Sequence, residues 1–254
     1  MTISSDKAKQ AVPRDVASWA QPISKLSVVD VPTGAINLNV AGRQVVSPLQ
    51  GFGPLWVKTF RVRLTGLEMT PAEVMEVWKA NFPHFQPAEN HFYPSMAGIQ
   101  PGEVVFIDAT VPAFRGLPSL LPVATGVMVL YADEHSFTVM TPEGHPESGW
   151  NTFSTYEEDG YTVAQIQTMT RTTDPIYEIW HRYLGSSEQQ DKTWTHVLTA
   201  LAAHLGVQAE VQAHKVCLDP TLQWKEAKNL WYNAGVRTVF YYLGTPIRWI
   251  RRRR

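Results

Sequence analysis

Hydrophobic and polar residues alternate through the middle of the chain with a period of two. Phe60, Val62 and Leu64 are separated by two arginines, a pattern that predicts a β-strand with one buried face. The same reasoning predicts five later strands, over residues 103–109, 124–132, 135–141, 150–157 and 161–170. Asp159 and Gly160 join the last two strands, and an Asp-Gly pair is typical of a tight β-hairpin turn.

The period then changes from two to that of a helix. Apolar residues spaced three and four apart predict a long amphipathic helix around residues 191–205, with the stripe Trp194, Val197, Leu198, Leu201, Ala202 and Leu205. Asp174 and Pro175 predict the start of a preceding helix, whose apolar stripe would be Ile176, Ile179, Trp180, Tyr183 and Leu184. Residues 185–187 interrupt the two helices. Thr70 to Glu73 form a capping box that predicts a shorter helix after the first strand.

This order of elements predicts an α+β fold in which a curved antiparallel β-sheet wraps around a long C-terminal helix. We assign residues 1–50 to an N-terminal arm and hairpin, 51–206 to the central domain and 207–254 to a C-terminal extension. Within the first segment, residues 1–25 are expected to be a mobile arm and 35–47 a hairpin. Within the last, residues 209–218 could add one more strand.

The same order of elements resembles the helix-grip fold of the START and polyketide-cyclase-like superfamily. Residues 141–149, which contain Gly144-His145-Pro146-Glu147 between two strands, also resemble a segment of an uncharacterised branch of that superfamily. The resemblance covers about three-fifths of the chain. It implies a cavity between sheet and helix of the kind used by lipid carriers, hydrophobe-binding proteins and aromatic cyclases, and it carries over no catalytic residue.

Composition narrows the functional classes. The 254 residues are 44% hydrophobic and 18% charged, which suits a globular protein, and a net charge of −1 disfavours a nucleic-acid-binding surface. The single cysteine, Cys217, permits no internal disulfide bond, and residues 1–25 lack the apolar core of a signal peptide. We therefore expect a cytoplasmic protein. The glycine-rich motifs of nucleotide-binding loops and the serine elbow of hydrolases are missing, so no cofactor is expected.

His145 and Glu143 are the candidate catalytic residues. His145 lies between Glu143 and Glu147, and neighbouring carboxylates could raise the pKa of its imidazole and make it a general base. The simpler alternative, a loop whose glycines and prolines shape a turn, is favoured. His196 and His204 lie eight residues apart on the long helix without a third ligand, so no metal site is predicted. His181 is expected to be an ordinary residue on a helix surface.

Candidate ligand-binding residues follow from the strands that would face the long helix. Methionine and aromatic side chains suit an adaptable apolar pocket. The candidates are Met128, Tyr131, Met140, Trp150, Gln165, Gln167, Met169 and Arg171. The two glutamines are either polar anchors in the cavity or part of a solvated outer face, and the second alternative is favoured. Arg171 could hold a ligand carboxylate at the cavity mouth, although a surface salt bridge is the simpler reading.

The C-terminal extension carries an unusual charge. From Trp224 onward, eight basic residues stand against the single acidic Glu226, and aromatic and aliphatic residues lie between them. Such a composition is typical of a segment that binds an anionic membrane surface, through Phe240, Trp249, Ile250 and the arginines at 251–254. Packing of the same segment on the domain is the favoured alternative, since Gly244 and Pro246 interrupt any long helix.

These patterns lead to one hypothesis and two alternatives. The leading hypothesis is the binding of an apolar or lipid-like small molecule between sheet and helix. The first alternative is a cyclase- or hydrolase-type enzyme that uses the same cavity, and the second is a peripheral membrane scaffold that acts through the basic tail. No nucleic acid is expected as a partner.

Overall fold

The structure is a computed structural model that describes residues 18–112, 120–208 and 210–244. Eight strands and four α-helices follow one another along these residues. Their bounds, in chain order, are β1 (Leu55–Arg63), α1 (Pro71–Asn81), β2 (Asn90–Tyr93), β3 (Val104–Pro112), β4 (Leu120–Ala132), β5 (Ser136–Met140), β6 (Glu147–Glu158), β7 (Tyr161–Thr172), α2 (Pro175–Tyr183), α3 (Ser186–His204), β8 (Val211–Asp219) and α4 (Ala234–Leu243).

All eight strands belong to one curved antiparallel sheet, in the order β2-β3-β4-β5-β6-β7-β1-β8. This arrangement confirms the predicted α+β fold, a curved antiparallel sheet with a long helix packed against it. Asp159 and Gly160, with φ of +53° and +77°, turn the β6–β7 hairpin as their sequence predicts. The strand predicted over residues 209–218 exists as β8, and it extends the sheet by pairing with β1 after the chain has left α3.

Helix α3 packs its apolar stripe against the concave face of the sheet. Leu198 and Leu201 are fully buried there with Trp194, as the stripe predicts. Local sequence explains where the helices begin. The Asp174 carboxylate accepts hydrogen bonds from the N–H groups at the start of α2, at 2.8 and 3.1 Å, and Gly185 separates α2 from α3 with φ of +84°.

The convex face is covered by the two ends of the chain. Leu26 and Val40, from the N-terminal segment, are buried against Phe106 of β3 and Met128 of β4. The hairpin predicted over residues 35–47 is wrong, because this segment forms turns that place its apolar side chains on the sheet instead of on a paired strand. Part of the predicted mobile arm is also ordered on this face, since Trp19 packs on the ring of Tyr131 at 4.7 Å.

Helix α4 closes a gap in the sheet. Strand β5 is short and pairs with β4 only from Met128 onward, which leaves the first half of β4 without a strand partner on that side in the described structure. Side chains replace the missing strand there. The N–H of Ala124 donates to Thr238 Oγ1 of α4 at 3.1 Å, and its carbonyl accepts from Asn39 Nδ2 at 2.8 Å. The backbone of this sheet edge is therefore hydrogen-bonded by α4 and the N-terminal segment together.

The predicted basic end of the chain, with Trp249, Ile250 and the arginines at 251–254, lies outside the described residues. Before it, a 3-10 segment at Trp224–Tyr232 leads into α4, which packs on β4 as the favoured alternative expects. Among the described helices, none combines the length and hydropathy that a bilayer crossing requires.

Candidate functional site

A cavity of about 180 Å³ lies between the concave face of the sheet and α3. Side chains alternate between the two faces along β3, β4 and β5. The residues that face inward on these strands are mostly apolar, and they form most of the cavity wall. The apolar lining includes Phe82, Phe92, Ile99, Val105, Ile107, Val123, Val127, Val139 and Phe153.

The inner face of the sheet changes from apolar to polar between two successive rows of inward-facing residues. Phe153, Ile166 and Phe60 are cross-strand neighbours on β6, β7 and β1, and all three are buried. Two residues along each strand, the corresponding row is Asn151, Thr168 and Lys58, also buried. One end of the cavity is thus lined by polar groups, and the first half of α3, which carries Ser186, Gln189 and Gln190, faces that end.

Lys58 is buried at this polar end and is fully engaged. Its Nζ donates to Gln190 Oε1 at 2.5 Å and lies 3.1 Å from Asp191 Oδ1, while the second oxygen of Asp191 pairs with Lys215. Glu147 joins the same network through side-chain hydrogen bonds with Gln190 and Thr170, and burial raises the pKa of its carboxyl.

His145 lines the polar end of the cavity, held by the backbone of Glu147. Its Nδ1 lies 3.0 Å from the Glu147 carbonyl and 3.1 Å from the Glu147 N–H. Burial lowers the pKa of His145 to about 4, so the expectation that its acidic neighbours raise it is wrong. The physical reason is that Glu143 points elsewhere, where its carboxylate accepts from the N–H of Gln44 at 3.2 Å.

His181 also lines this end, although the sequence indicated a helix-surface residue. It lies four residues after Tyr177, and α2 turns both side chains inward while Ile179 and Tyr183 are 53% and 64% exposed. The predicted apolar stripe of α2 is therefore wrong for these two residues. Burial, with a contribution from nearby Lys58, lowers the pKa of His181 to about 4. The four-residue spacing places His181 on the same face of α2 as Tyr177. Only the packing of α2 shows that this face points into the fold.

Three further polar atoms face the cavity without a hydrogen-bond partner among the described residues. They are Thr125 Oγ1, Asn151 Oδ1 and Trp194 Nε1, and all three residues are at most 8% exposed. A buried polar group without a partner costs about 1–3 kcal/mol, so such groups in a cavity wall are candidates for contacts with a bound molecule. Neither Thr125 nor Asn151 belongs to a sequence pattern that marks it as a cavity residue.

Four of the predicted ligand-binding residues are brought together by the sheet, but on its convex face. Met128, Met140, Trp150 and Met169 are successive cross-strand neighbours on β4, β5, β6 and β7. Their row alternates with the inward row that contains Val139 and Asn151. This placement corrects the expectation that they line the space between sheet and helix, while a ligand contact by any of them stays a prediction.

The other predicted ligand-binding residues have partners within the fold. Gln165 accepts a hydrogen bond from the Tyr156 hydroxyl at 3.2 Å, and exposed Gln167 donates to Thr59 at 3.3 Å, so both glutamines lie on the convex face. Tyr131 is buried beside Trp19, and its hydroxyl bonds to Asp133.

Arg171 is buried rather than on the surface. Its guanidinium donates to the carbonyl of Gly53 at 2.6 Å and to that of Thr221 at 3.1 Å, and it pairs with Asp219 at the end of β8. These contacts link β7 to the segment just before β1 and to the end of β8. A group of three or more side chains able to hold a metal ion is not found among the residues that the structure describes.

Comparisons with known proteins give only distant structural likenesses. No family model and no curated protein matches the sequence. Among solved structures, the KanY protein is 12% identical over 58% of this chain and 95% of its own, with a TM-score of 0.42. Ara h 8.0201 is 12% identical over 59% and 97%, with a TM-score of 0.39. The di-domain ARO/CYC protein StfQ of the steffimycin biosynthetic pathway is 8% identical over 60% of this chain and 52% of its own, with a TM-score of 0.40.

Proposed function

We propose that the protein binds an apolar small molecule in the cavity between the sheet and α3. The observation that carries this proposal is the composition of the wall: a continuous apolar lining is combined with a few polar atoms that lack partners among the described residues. Ligand sites are typically built in this way, with apolar surface supplying affinity and convergent polar groups fixing orientation.

The volume limits the size of the molecule. An apolar cavity of about 150 Å³ accommodates benzene, so a cavity of about 180 Å³ suits a compound of one or two rings or a short chain. Each Å² of apolar ligand surface that the cavity removes from water contributes about 25 cal/mol to the free energy of binding.

Filling the cavity tests this proposal. Val139 lines the cavity, whereas Val216 lies on β8 and is 40% exposed. We expect Val139→Phe to weaken the binding of naphthalene, measured by calorimetry, by more than about tenfold, because the added ring occupies the ligand volume. Val216→Phe is the matched control and should leave binding unchanged. Mass spectrometry of compounds extracted from the native protein supplies the natural ligand. Absence of any bound or recovered apolar compound would contradict the proposal.

The enzymatic alternative predicts that a cavity ligand is consumed. His145→Ala should then abolish conversion, followed by chromatography, with folding intact by circular dichroism. A ligand recovered unchanged from the wild-type protein favours binding alone.

A second function is favoured by a different observation. The segment from residue 224 to 243 exposes four large apolar side chains, Trp224, Trp231, Phe240 and Leu243, at 68–82% of their surface. Lys225, Lys228 and Arg237 lie in the same segment. Exposed aromatic residues beside basic ones are typical of a surface that contacts anionic lipid, so we propose peripheral membrane binding through this segment.

Vesicle co-sedimentation tests this second function. Trp231→Ser should reduce binding to anionic vesicles because it removes apolar surface from the contact, and added salt should weaken binding of the wild-type chain. Met96→Ser is the control, since Met96 is fully exposed but lies between β2 and β3. Replacement of the arginines at 251–254 by serine tests the basic end in the same assay. Equal binding to neutral and anionic vesicles, with no effect of Trp231→Ser, would contradict the membrane proposal.

A further inference from the structure

The polar end of the cavity contains two imidazoles with unused hydrogen-bonding capacity. His145 is anchored through Nδ1 alone, so its Nε2 makes no hydrogen bond with the described part of the chain. Neither ring nitrogen of His181 bonds to a described residue. Glu147 brings the two together, because it follows His145 by two residues and lines a small side pocket together with His181.

The charged side chains around these imidazoles are already engaged in ion pairs with one another. Lys58 is paired with Asp191, and Asp191 is paired again with Lys215. On α2, Glu178 accepts from Thr172 at 2.6 Å and pairs with Arg182 at 2.8 Å. No lysine or arginine is among the described residues of the cavity wall, so a ligand carboxylate would find no cation there, would face the carboxyl of Glu147 and would lose its hydration.

We infer that this end of the cavity is a subsite for an uncharged hydroxyl or carbonyl group of the ligand, and that the imidazoles of His145 and His181 are its hydrogen-bonding partners. The inference rests on the proposed binding function and names the chemistry of the ligand's polar end.

The protonation states suit such a group. Because burial lowers the pKa of both histidines to about 4, both rings are neutral near pH 7. A neutral imidazole offers one N–H donor and one bare nitrogen acceptor. A ligand hydroxyl can use both kinds of group, and a carbonyl can accept from the donor. The apolar lining on the opposite side of the cavity then receives the body of the ligand, so the molecule would enter with a defined orientation.

Three probes with the same ring system test the inference: naphthalene, 2-naphthol and 2-naphthoate. We expect calorimetry at pH 7 to show 2-naphthol binding about tenfold more tightly than naphthalene, because only the naphthol satisfies the imidazoles. The naphthoate should bind at least about tenfold more weakly than the naphthol, because its carboxylate finds no free cation.

Variants identify the residues responsible. His145→Phe and His181→Phe keep an aromatic ring and remove its nitrogens, so each should reduce the preference for naphthol over naphthalene at least about threefold. His196→Phe is the matched control at an exposed position of α3 and should leave that preference unchanged. Since a variant could fail to fold, the imidazole ¹⁵N shifts of the wild-type protein provide a second measurement, and naphthol should move the Nε2 signal of His145 and a ring-nitrogen signal of His181.

The outcomes separate the inference from the proposed function. If all three probes bind with equal affinity, or the naphthoate binds most tightly, the inference is overturned while the binding function stands. An unchanged naphthol preference in both histidine variants, or ¹⁵N shifts that do not respond to naphthol, also overturns it. If none of the three probes binds, the proposed function itself fails.

Discussion

Asn39 is the residue whose removal most directly tests how the two ends of the chain hold the sheet together. It is fully buried between β4 and α4. Its Nδ2 donates to the carbonyl of Ala124 at 2.8 Å, with longer contacts to α4, and its Oδ1 accepts from Arg237 Nε at 2.8 Å. The change Asn39→Ala removes both groups and leaves the Ala124 carbonyl and the Arg237 Nε without these partners.

The cost follows from the number and quality of the lost hydrogen bonds. The two short bonds contribute about 1 kcal/mol each, and a buried group left without a partner costs about 1–3 kcal/mol. We therefore expect Asn39→Ala to lower the free energy of unfolding by about 3–5 kcal/mol, because the Ala124 carbonyl, in a residue that is only 2% exposed, loses its amide donor. This is a large part of the total stability of an ordinary domain.

Urea unfolding measures this cost, and a neighbouring asparagine provides the control. Asn37 is exposed, and its side chain accepts a single hydrogen bond, from the N–H of Ala41 at 2.9 Å. Asn37→Ala should cost no more than about 1 kcal/mol. Hydrogen exchange adds a local measurement, because the Ala124 amide should exchange faster in Asn39→Ala if α4 separates from the sheet edge.

Two results would refute this reasoning. Equal destabilisation by Asn37→Ala and Asn39→Ala would mean that burial of the hydrogen bonds does not determine the cost. Unchanged exchange of the Ala124 amide in a clearly destabilised Asn39→Ala variant would mean that α4 does not depend on Asn39 for its position on β4.

Three more predictions concern pH, a glycine and a buried arginine. The folded-state pKa of His181 lies near 4, below the ordinary 6.5, so its contribution to stability is complete above pH 6.5 and is lost as the pH falls towards 4. Urea unfolding at pH 7.5 and pH 5 should show wild type losing about 2 kcal/mol more than His181→Phe, and equal losses would contradict this pKa. Gly144 and Gly160 have φ of +86° and +77°, but only at Gly144 would a Cβ meet a backbone oxygen, at 1.9 Å. Thermal unfolding should therefore show that Gly160→Ala costs about 1–2 kcal/mol and Gly144→Ala at least about 2 kcal/mol more, and equal costs would refute the contact. Arg171→Met should cost about 1–3 kcal/mol in urea because it leaves the buried carbonyl of Gly53 without its donor, whereas Arg63→Met, at an exposed ion pair, should cost much less; similar values would contradict this difference.

Helices α1 to α3 and most strands of the sheet could be predicted from the sequence because their causes are local, whereas β2 was not predicted. The repeat that ends in Leu198 and Leu201 specifies one buried helix face, and both residues are fully buried in α3. The Asp174 cap and the turn at Asp159 and Gly160 depend on neighbouring residues only, and each is present where its residues predict it. Together these local signals determined the α+β architecture.

Only the tertiary structure decided which face of the sheet lines the cavity. Strand alternation separates the residues of β4 into two sets, but both sets are apolar, because Leu26 and Val40 cover the convex face as α3 covers the concave one. The row through Met128 therefore looked as suitable for a ligand as the row through Val127, which lines the cavity. The polar end depends on contacts between residues far apart in sequence, such as Lys58 with Asp191 and His181 beside Glu147. Such contacts leave no periodic pattern, since they arise when α2 and α3 fold back over strands formed much earlier in the chain.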